Sequence, residues 1–273
     1  MIGQKDTLKQ ITNFILSNHN TALLCGADGS GKETLINEAI SNCIIFHAWK
    51  GQSYTLTNIS KDSVKTLLED VYKINSDTLY VIPGIDKMSG AAMNSLLKIT
   101  EEPPNKAKFI LTCVNSSNVL ETIKSRSLVY YMQPYTPKEL LEYYGKEEYA
   151  DYICNVCTTP GDINILVKNG IKEFQEYVEK VFNFIGTASI GNALKIGSKL
   201  AFKDGDEGFD LRLFFRAFEL MCLEAYKKST GEDKVKYRYG ATTTLRYLGQ
   251  IDIKGINKSA LFDTWVVTIK ERW

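Results

Sequence analysis

The chain has few histidines, almost no net charge and no long apolar run, and each shortage excludes a class of protein. The two histidines, His19 and His47, lie far apart and have no matching partners for a zinc site. A formal net charge of +1 provides no overall field that would draw the chain to DNA or to a membrane. No apolar run approaches the length of a bilayer span, and the N-terminus has no apolar core with a cleavage site. We therefore expect a cytoplasmic protein without a signal peptide.

Six scattered cysteines are too few and too irregular for a disulfide framework. Several lie in apolar, strand-like runs, which is typical of buried, reduced thiols. Cys154 and Cys157 form a single CxxC, and no second close pair completes the four ligands of a structural zinc ion. The sequence therefore predicts no metal site.

The first half of the chain alternates strand-like and helix-like segments. The predicted strands are TALLC (21–25), CIIFHA (43–48), TLYVI (78–82), KFILTC (108–113) and LVYYM (128–132). Apolar residues at helical spacing predict helices over 32–42, 62–72 and 91–101. Such alternation favours an α/β fold whose mainly parallel sheet has helices on both faces.

After Pro134 the strand pattern stops and the segments become helical. Helices are predicted over 139–144, 148–157, 162–168, 172–184, 190–202, 211–228 and 258–269, with polar loops at KDGDEGFD (203–210) and STGEDKVK (229–236). The change predicts three domains: an α/β domain over 1–134, a small helical domain over 135–170 and an all-α domain over 171–273.

Between the first strand and the first helix lies GADGSGKET (26–34), which is close to the phosphate-binding pattern GxxxxGK[ST]. The glycines of such a loop let backbone N–H groups surround phosphate oxygens, the lysine reaches the terminal phosphates, and the hydroxyl binds magnesium. The predicted phosphate-binding residues are Gly26, Gly29, Gly31, Lys32 and Thr34.

The loop departs from the pattern at Glu33, which stands where the hydroxyl residue belongs. A carboxylate there would repel a triphosphate, and Thr34 is rotated about a quarter turn away on the helix. Glu33 could instead bind magnesium itself, so binding of a nucleotide or phosphate stays open.

A second departure follows the TLYVI strand. An aspartate normally holds the metal at this strand end and a glutamate orients water, but Pro83 and Gly84 carry no carboxylate. Asp86 is close in sequence, beyond a Pro-Gly turn that favours a different direction. We therefore predict that the chain alone does not hydrolyse ATP.

Two further motifs, NSLLKITEEPP (94–104) and KFILTCVNSSNVLETIKSRS (108–127), resemble the clamp-loader subunits of the AAA+ superfamily. The family's Ser-Arg-Cys motif reads Ser125, Arg126, Ser127 here, and the closing segment INKSALFDTWVVTI (256–269) is similar to the final helix of bacterial members. Among these, the delta-prime subunits of bacterial DNA polymerase III, which have an eroded nucleotide site, are most similar. Val114 and Gly161 stand where active members carry a phosphate sensor and an arginine, and the family's four-cysteine zinc module is absent from this sequence.

The resemblance implies a AAA+ domain, a helical lid and a C-terminal collar that joins a hetero-oligomer of about five subunits. It also implies that Arg126 acts in trans as an arginine finger on a neighbour's ATP, during loading of a sliding clamp onto primer–template DNA in replication. ATP and magnesium would then be needed at neighbouring subunits, and this chain would require no cofactor of its own. Taken without the motif, Arg126 would instead be expected to pair with a surface carboxylate.

Two alternatives remain open from the sequence. One is a self-sufficient ATPase of clamp-loader type that uses Glu33 or Asp86 on the metal. The other is a DNA-binding module acting alone, against which the near-zero net charge argues.

Overall fold

The computed structural model describes residues 2–57, 59–73, 76–104, 107–202, 207–253 and 255–273. The chain divides into two compact units, Met1–Glu139 and Leu140–Trp273. The further division of the second unit into a lid and a collar stays a prediction.

The first unit is the predicted α/β fold. Its helices are α1 (Lys5–Leu16), α2 (Lys32–Ile45), α3 (Lys61–Val71), α4 (Gly90–Glu101) and α5 (Glu121–Lys124), and its strands are β1 (Thr21–Cys25), β2 (Gln52–Thr55), β3 (Thr78–Ile82), β4 (Ala107–Cys113) and β5 (Leu128–Tyr131). All five strands run parallel in the order β2-β3-β4-β1-β5. The carboxyl end of β1 therefore lies between those of β4 and β5, where parallel sheets of this kind form their ligand sites.

Both faces of this sheet are covered, because successive side chains of each strand alternate between two cores. Along β3, Leu79 and Val81 join a core with α1 and α2, while Tyr80 and Ile82 join the core that includes α3 and α4. Strands that are apolar throughout are typical of parallel sheets buried on both sides.

The prediction of a strand over 43–48 was wrong. Helix α2 continues through Ile45, and the second strand of the sheet is the more polar segment Gln52–Thr55. Cys43 still lies on the buried face of the helix, whereas Ile44, Ile45 and Phe46 are exposed. A short apolar run does not distinguish a helix end from a strand, and here the helical face set by Ile36 and Ile40 extends into it.

The second unit is helical, as predicted. After α6 (Pro137–Tyr144), which crosses the boundary, come α7 (Ala150–Val156), α8 (Pro160–Asn169), α9 (Ile171–Ile185), α10 (Ile190–Leu194), α11 (Leu211–Lys228), α12 (Gly231–Leu248) and α13 (Lys258–Lys270). Two very short strands, β6 (Leu200–Ala201) and β7 (Phe209–Asp210), pair in parallel.

Two predictions in this unit were wrong. The helix expected over 190–202 ends at Leu194 and gives way to a 3₁₀ turn, Lys195–Lys199, and then β6. The loop expected over 229–236 is the first part of α12, apart from its first two residues. Of the other predicted loop, 203–206 lie outside the described residues, and Phe209 and Asp210 form β7.

Aromatic side chains fill the core of the second unit. Trp265 is fully buried and lies edge-on to Phe214 and Phe218, with ring centroids 5.5 and 4.9 Å away, and its indole N–H donates to Thr244 Oγ1 at 3.0 Å. Gly240 of α12 leaves room for Trp273, because a Cβ there would come within 2.4 Å of the indole ring. In the described ranges no helix is long and apolar enough to cross a membrane.

Candidate functional site: a phosphate loop and a rim arginine

The phosphate loop joins the end of β1 to the start of α2, so its backbone N–H groups cluster at a helix N-terminus. Gly29 and Gly31 have φ of +73° and +83°, in the left-handed region that favours glycine. These two residues give the loop the turn that the sequence pattern predicts. The anion-binding half of a nucleotide site is therefore built.

Lys32 closes this loop on itself. Its Nζ donates to the carbonyl oxygens of Gly26 at 2.7 Å and Ala27 at 2.9 Å. Burial lowers the pKa of Lys32 below the ordinary lysine value, and the neighbouring carboxylate of Asp28 offsets only part of this effect. Two of the three N–H donors of the ammonium group are thus used within the loop, and an incoming phosphate would have to accept from the third or replace a carbonyl contact.

The segment after β5 packs on the same loop. Tyr135 donates its hydroxyl proton to the carbonyl oxygen of Ser30 at 2.8 Å, and Met132 lies so close to Gly26 that a Cβ there would come within 2.5 Å of its Cγ. The Ser30 side chain is buried, and its Oγ has no hydrogen-bond partner in the described part of the chain. Tyr135 and Met132 thus pack against one side of the loop, and the hydroxyl of Ser30 within the loop has no hydrogen-bond partner among the described residues.

The metal-binding half of the site is not built from the expected residues. Glu33 and Thr34 are both exposed on the first turn of α2. Pro83 and Gly84 follow β3 as predicted, and the Gly84 N–H donates to Thr112 Oγ1 at 3.2 Å. Over the described ranges, no group of three or more His, Cys, Asp or Glu side chains could hold a metal ion.

Asp86 is the carboxylate nearest in sequence to this strand end, and it serves the backbone. It is buried at 5% exposure in a short 3₁₀ turn, and its Oδ2 accepts hydrogen bonds from the N–H groups of Val114 at 3.1 Å and Asn115 at 3.0 Å. Its Oδ1 has no hydrogen-bond partner among the described residues. The side chain therefore ties the end of β3 to the end of β4.

Arg126 lies just after α5, outside the phosphate loop. Its Nη2 pairs with Glu101 Oε1 at 2.8 Å, and its Nη1 donates to the carbonyl oxygen of Thr122 at 2.8 Å. The side chains of Arg126 and Glu101 are 36% and 50% exposed. The structure thus brings the EEPP and Ser-Arg-Ser motifs together through an ion pair that solvent or a partner can reach.

Sequence reasoning missed Tyr135 and the backbone role of Asp86. Tyr135 follows β5 and lies between Pro134 and Pro137, which predict only a turn. Nothing in the sequence around it indicates a contact with a loop about a hundred residues earlier. Asp86 could have been recognised as a capping residue only from the position of β4. Gly161 lies in the second unit, in the first turn of α8, where Thr159 and Asp162 form a capping box.

Comparison with known proteins shows similarity to subunits of DNA polymerase III. Residues 2–136 match the family model described as DNA polymerase III, delta subunit. Subunit delta' of DNA polymerase III from Buchnera aphidicola subsp. Schizaphis graminum is 28% identical over 148 residues, which are 53% of this chain and 40% of that protein. The delta' subunit from Bacillus subtilis is 30% identical over 131 residues, covering 45% and 39%.

The gamma subunit from the same Buchnera aphidicola strain is 26% identical over 223 residues, which are 72% of this chain and 56% of that protein. The crystal structure of a DNA polymerase III gamma subunit-related protein from Thermotoga maritima covers 98% of this chain and 99% of its own, with a TM-score of 0.50 and 13% identity, and shows the fold alone. The chain spans about half the length of the curated relatives it matches. The chain is therefore similar to DNA polymerase III subunits of both the delta' and the gamma kind.

Proposed function

We propose that this chain is a non-hydrolysing subunit of a DNA polymerase III clamp loader and that it supplies Arg126 to the ATP site of a neighbouring subunit. The observation that carries the proposal is the contrast within the first unit. The phosphate loop is formed, but Pro83 and Gly84 stand where the metal-binding carboxylates belong, and Asp86 is committed to the N–H groups of β4's end.

Hydrolysis of a triphosphate requires magnesium on the phosphates and a carboxylate or amide that positions water. The loop residues fit the phosphates of a nucleotide, through the backbone N–H groups at the start of α2 and the ammonium of Lys32. For the metal, the first turn of α2 offers the exposed oxygens of Glu33 and Thr34, and no cluster of three or more candidate ligands accompanies them among the described residues. This half-site supports binding of a nucleotide or phosphate and argues against turnover.

Arg126 suits a role in trans because its ion pair within this chain contributes little stability. An ion pair as exposed as that with Glu101 contributes about 0–1 kcal/mol, so a triphosphate from a neighbouring chain can replace the carboxylate. The planar guanidinium matches phosphate oxygens in two-point contact. An arginine finger of this kind raises the rate of phosphoryl transfer about 10³–10⁵-fold.

The assembly follows as part of the same proposal. The first unit would lie beside ATPase subunits of the loader, and the helical second unit would include a lid and a collar that joins a ring or spiral of about five chains. That assembly would open a sliding clamp and place it on primer–template DNA.

The proposal is tested by reconstituting the loader with Arg126→Ala, Arg126→Lys and a matched control, Lys124→Ala, whose side chain pairs with Glu121 three residues earlier. We expect both Arg126 variants to lower ATP turnover at the neighbouring site about 10³-fold, since lysine lacks the planar fork, while the control retains turnover. Wild-type turnover and clamp loading with Arg126→Ala would refute the finger role.

One observation favours the alternative of a self-sufficient ATPase. The Oδ1 atom of Asp86 is buried and without a hydrogen-bond partner in the described ranges, so it could face a cation. Titration calorimetry of the isolated chain with Mg-ATP, together with a phosphate-release assay, separates the two functions. Turnover that is lost in both Lys32→Ala and Asp86→Asn would favour this alternative.

A further inference from the structure

A groove in the second unit lies between α9 and the 3₁₀ turn Lys195–Lys199, and none of its residues belongs to the phosphate loop or to the surroundings of Arg126. Its volume is about 330 Å³, at the lower end of the ~300–1,000 Å³ that small ligand sites occupy. Its walls are apolar: Tyr177, Val181 and Phe184 come from α9, and Ile196 comes from the turn. Phe184 is 44% exposed, which is high for a large aromatic side chain.

The polar atom of Tyr177 does not contribute a free hydrogen-bonding group to the groove. Its hydroxyl donates to the carbonyl oxygen of Ile196 at 2.9 Å, which also fixes the turn against α9. An occupant would therefore meet mainly rings and aliphatic side chains in the groove, and its polar contacts would be made with the exposed hydroxyl of Ser198 and with the lysines of the rim.

Three lysines, Lys180, Lys195 and Lys199, form that rim. All three are exposed, and none has an ion-pair partner among the residues that the structure describes. No acidic side chain lines the groove itself. Glu176 and Glu179 line an adjoining depression beside Lys180, so the uncompensated positive charge is greatest on the side of Lys195 and Lys199.

We propose that this groove binds a short peptide segment of a partner protein in which large apolar side chains are flanked by carboxylates. The apolar walls match the apolar side chains of such a segment, and the lysines of the rim match its carboxylates. Burial of the peptide's apolar side chains and of Phe184 supplies affinity, because apolar surface is removed from water. The lysines orient the bound peptide by attracting its carboxylates, and they repel peptides with basic side chains.

Nucleic acid is a poorer fit. Phosphates would satisfy the lysines, but a phosphate backbone leaves the apolar walls exposed to water. The near-zero net charge of the chain also gives little of the extended positive field that non-specific nucleic-acid binding needs.

The test uses the full chain and a fluorescein-labelled peptide in which two leucines and a phenylalanine are flanked by aspartates on both sides. A matched peptide has lysines in place of the aspartates. Fluorescence anisotropy should show binding of the acidic peptide that weakens as salt is raised, and no binding of the basic one.

Two variants and one control locate the site. Lys195→Glu combined with Lys199→Glu should weaken binding at least about tenfold, and Phe184→Ser should weaken it with little change in salt dependence. Lys172→Glu, an exposed change on the same helix outside the groove, should leave it unchanged. All the substituted side chains are exposed, and circular dichroism checks that each variant is folded.

Equal binding of the two peptides, or equal loss in the Lys172→Glu control, would overturn the proposal. So would displacement of the bound peptide by a single-stranded DNA oligonucleotide that binds the groove more tightly, because the site would then be one for nucleic acid. Failure of the peptide to bind leaves the proposed finger role of Arg126 untouched, since every residue of the groove belongs to the second unit and Arg126 to the first.

Discussion

The phosphate loop and the surroundings of Arg126 lie in the same unit and differ in how their cations are held. The ammonium of Lys32 is half-buried and donates to two carbonyl oxygens of its own loop. The guanidinium of Arg126 is 36% exposed and pairs with a half-exposed carboxylate. One cation is satisfied internally, and the other can exchange its partner at small cost. In the proposed function, the exposed guanidinium is the cation that would serve a neighbouring chain.

The strongest expected effect on stability concerns Asp86, which on this account is structural. Asp86→Ala leaves the partly buried N–H groups of Val114 and Asn115, just after β4, without their acceptor and should lower the free energy of unfolding by about 3 kcal/mol. Asp86→Asn keeps one acceptor oxygen and should cost less. Urea denaturation of both variants provides the measurement. Wild-type stability of Asp86→Ala, combined with weaker magnesium binding, would show that Asp86 is a metal ligand instead.

A smaller effect is expected within the phosphate loop. Gly26→Ala places a Cβ within 2.5 Å of Met132 Cγ and should destabilise the first unit by about 1–3 kcal/mol through overpacking. Gly90→Ala is the matched control, because a Cβ at this first helical position meets nothing within 4 Å. Thermal unfolding of the two variants should separate them clearly. If the two behaved alike, the tight packing of Met132 over the loop would be disproved.

The smallest effect is predicted for the ion pair at the rim. Glu101→Gln should change the free energy of unfolding by less than about 1 kcal/mol, because the pair is exposed to solvent. It should also leave ATP turnover of the reconstituted loader at or above the wild-type rate, since Arg126 is no longer held by a carboxylate. A loss of turnover as large as that of Arg126→Ala would mean that Glu101 is required to position the finger.

The sequence predicted the sheet well because parallel strands buried on both faces are apolar throughout. The prediction failed where a short apolar run fits a strand and a helix end equally well. Ile44 and Ile45 end a helix whose buried face is set by residues earlier in the chain, and Phe46 caps it. The difference between these segments is burial, which depends on the neighbouring elements.

Helix α12 was missed for a different reason: its first residues were predicted as a loop, and no element was predicted over 237–248. Its buried residues include Gly240, Ala241, Thr243 and Thr244, which are small or polar and give almost no apolar periodicity. They face inward because the bulky aromatic side chains come from elsewhere, among them Trp265 and Trp273. A helix that receives large side chains rather than providing them cannot be recognised from its own pattern.

The candidate site was predicted in its parts but not in its contacts. The breaks at Glu33, Pro83 and Gly84 can be read directly, because each is a missing functional group at a fixed spacing. The pairing of Arg126 with Glu101 joins two motifs from separate segments, and only the packing of α4 beside α5 brings them together.

The central claim is tested most directly by single-turnover hydrolysis of ATP in the reconstituted loader, with Lys32→Ala and Arg126→Ala compared side by side. The account predicts that Lys32→Ala hydrolyses at the wild-type rate, because no turnover passes through this chain's own loop, and that Arg126→Ala loses hydrolysis at the adjacent site. Loss of hydrolysis in Lys32→Ala with full activity in Arg126→Ala would contradict it.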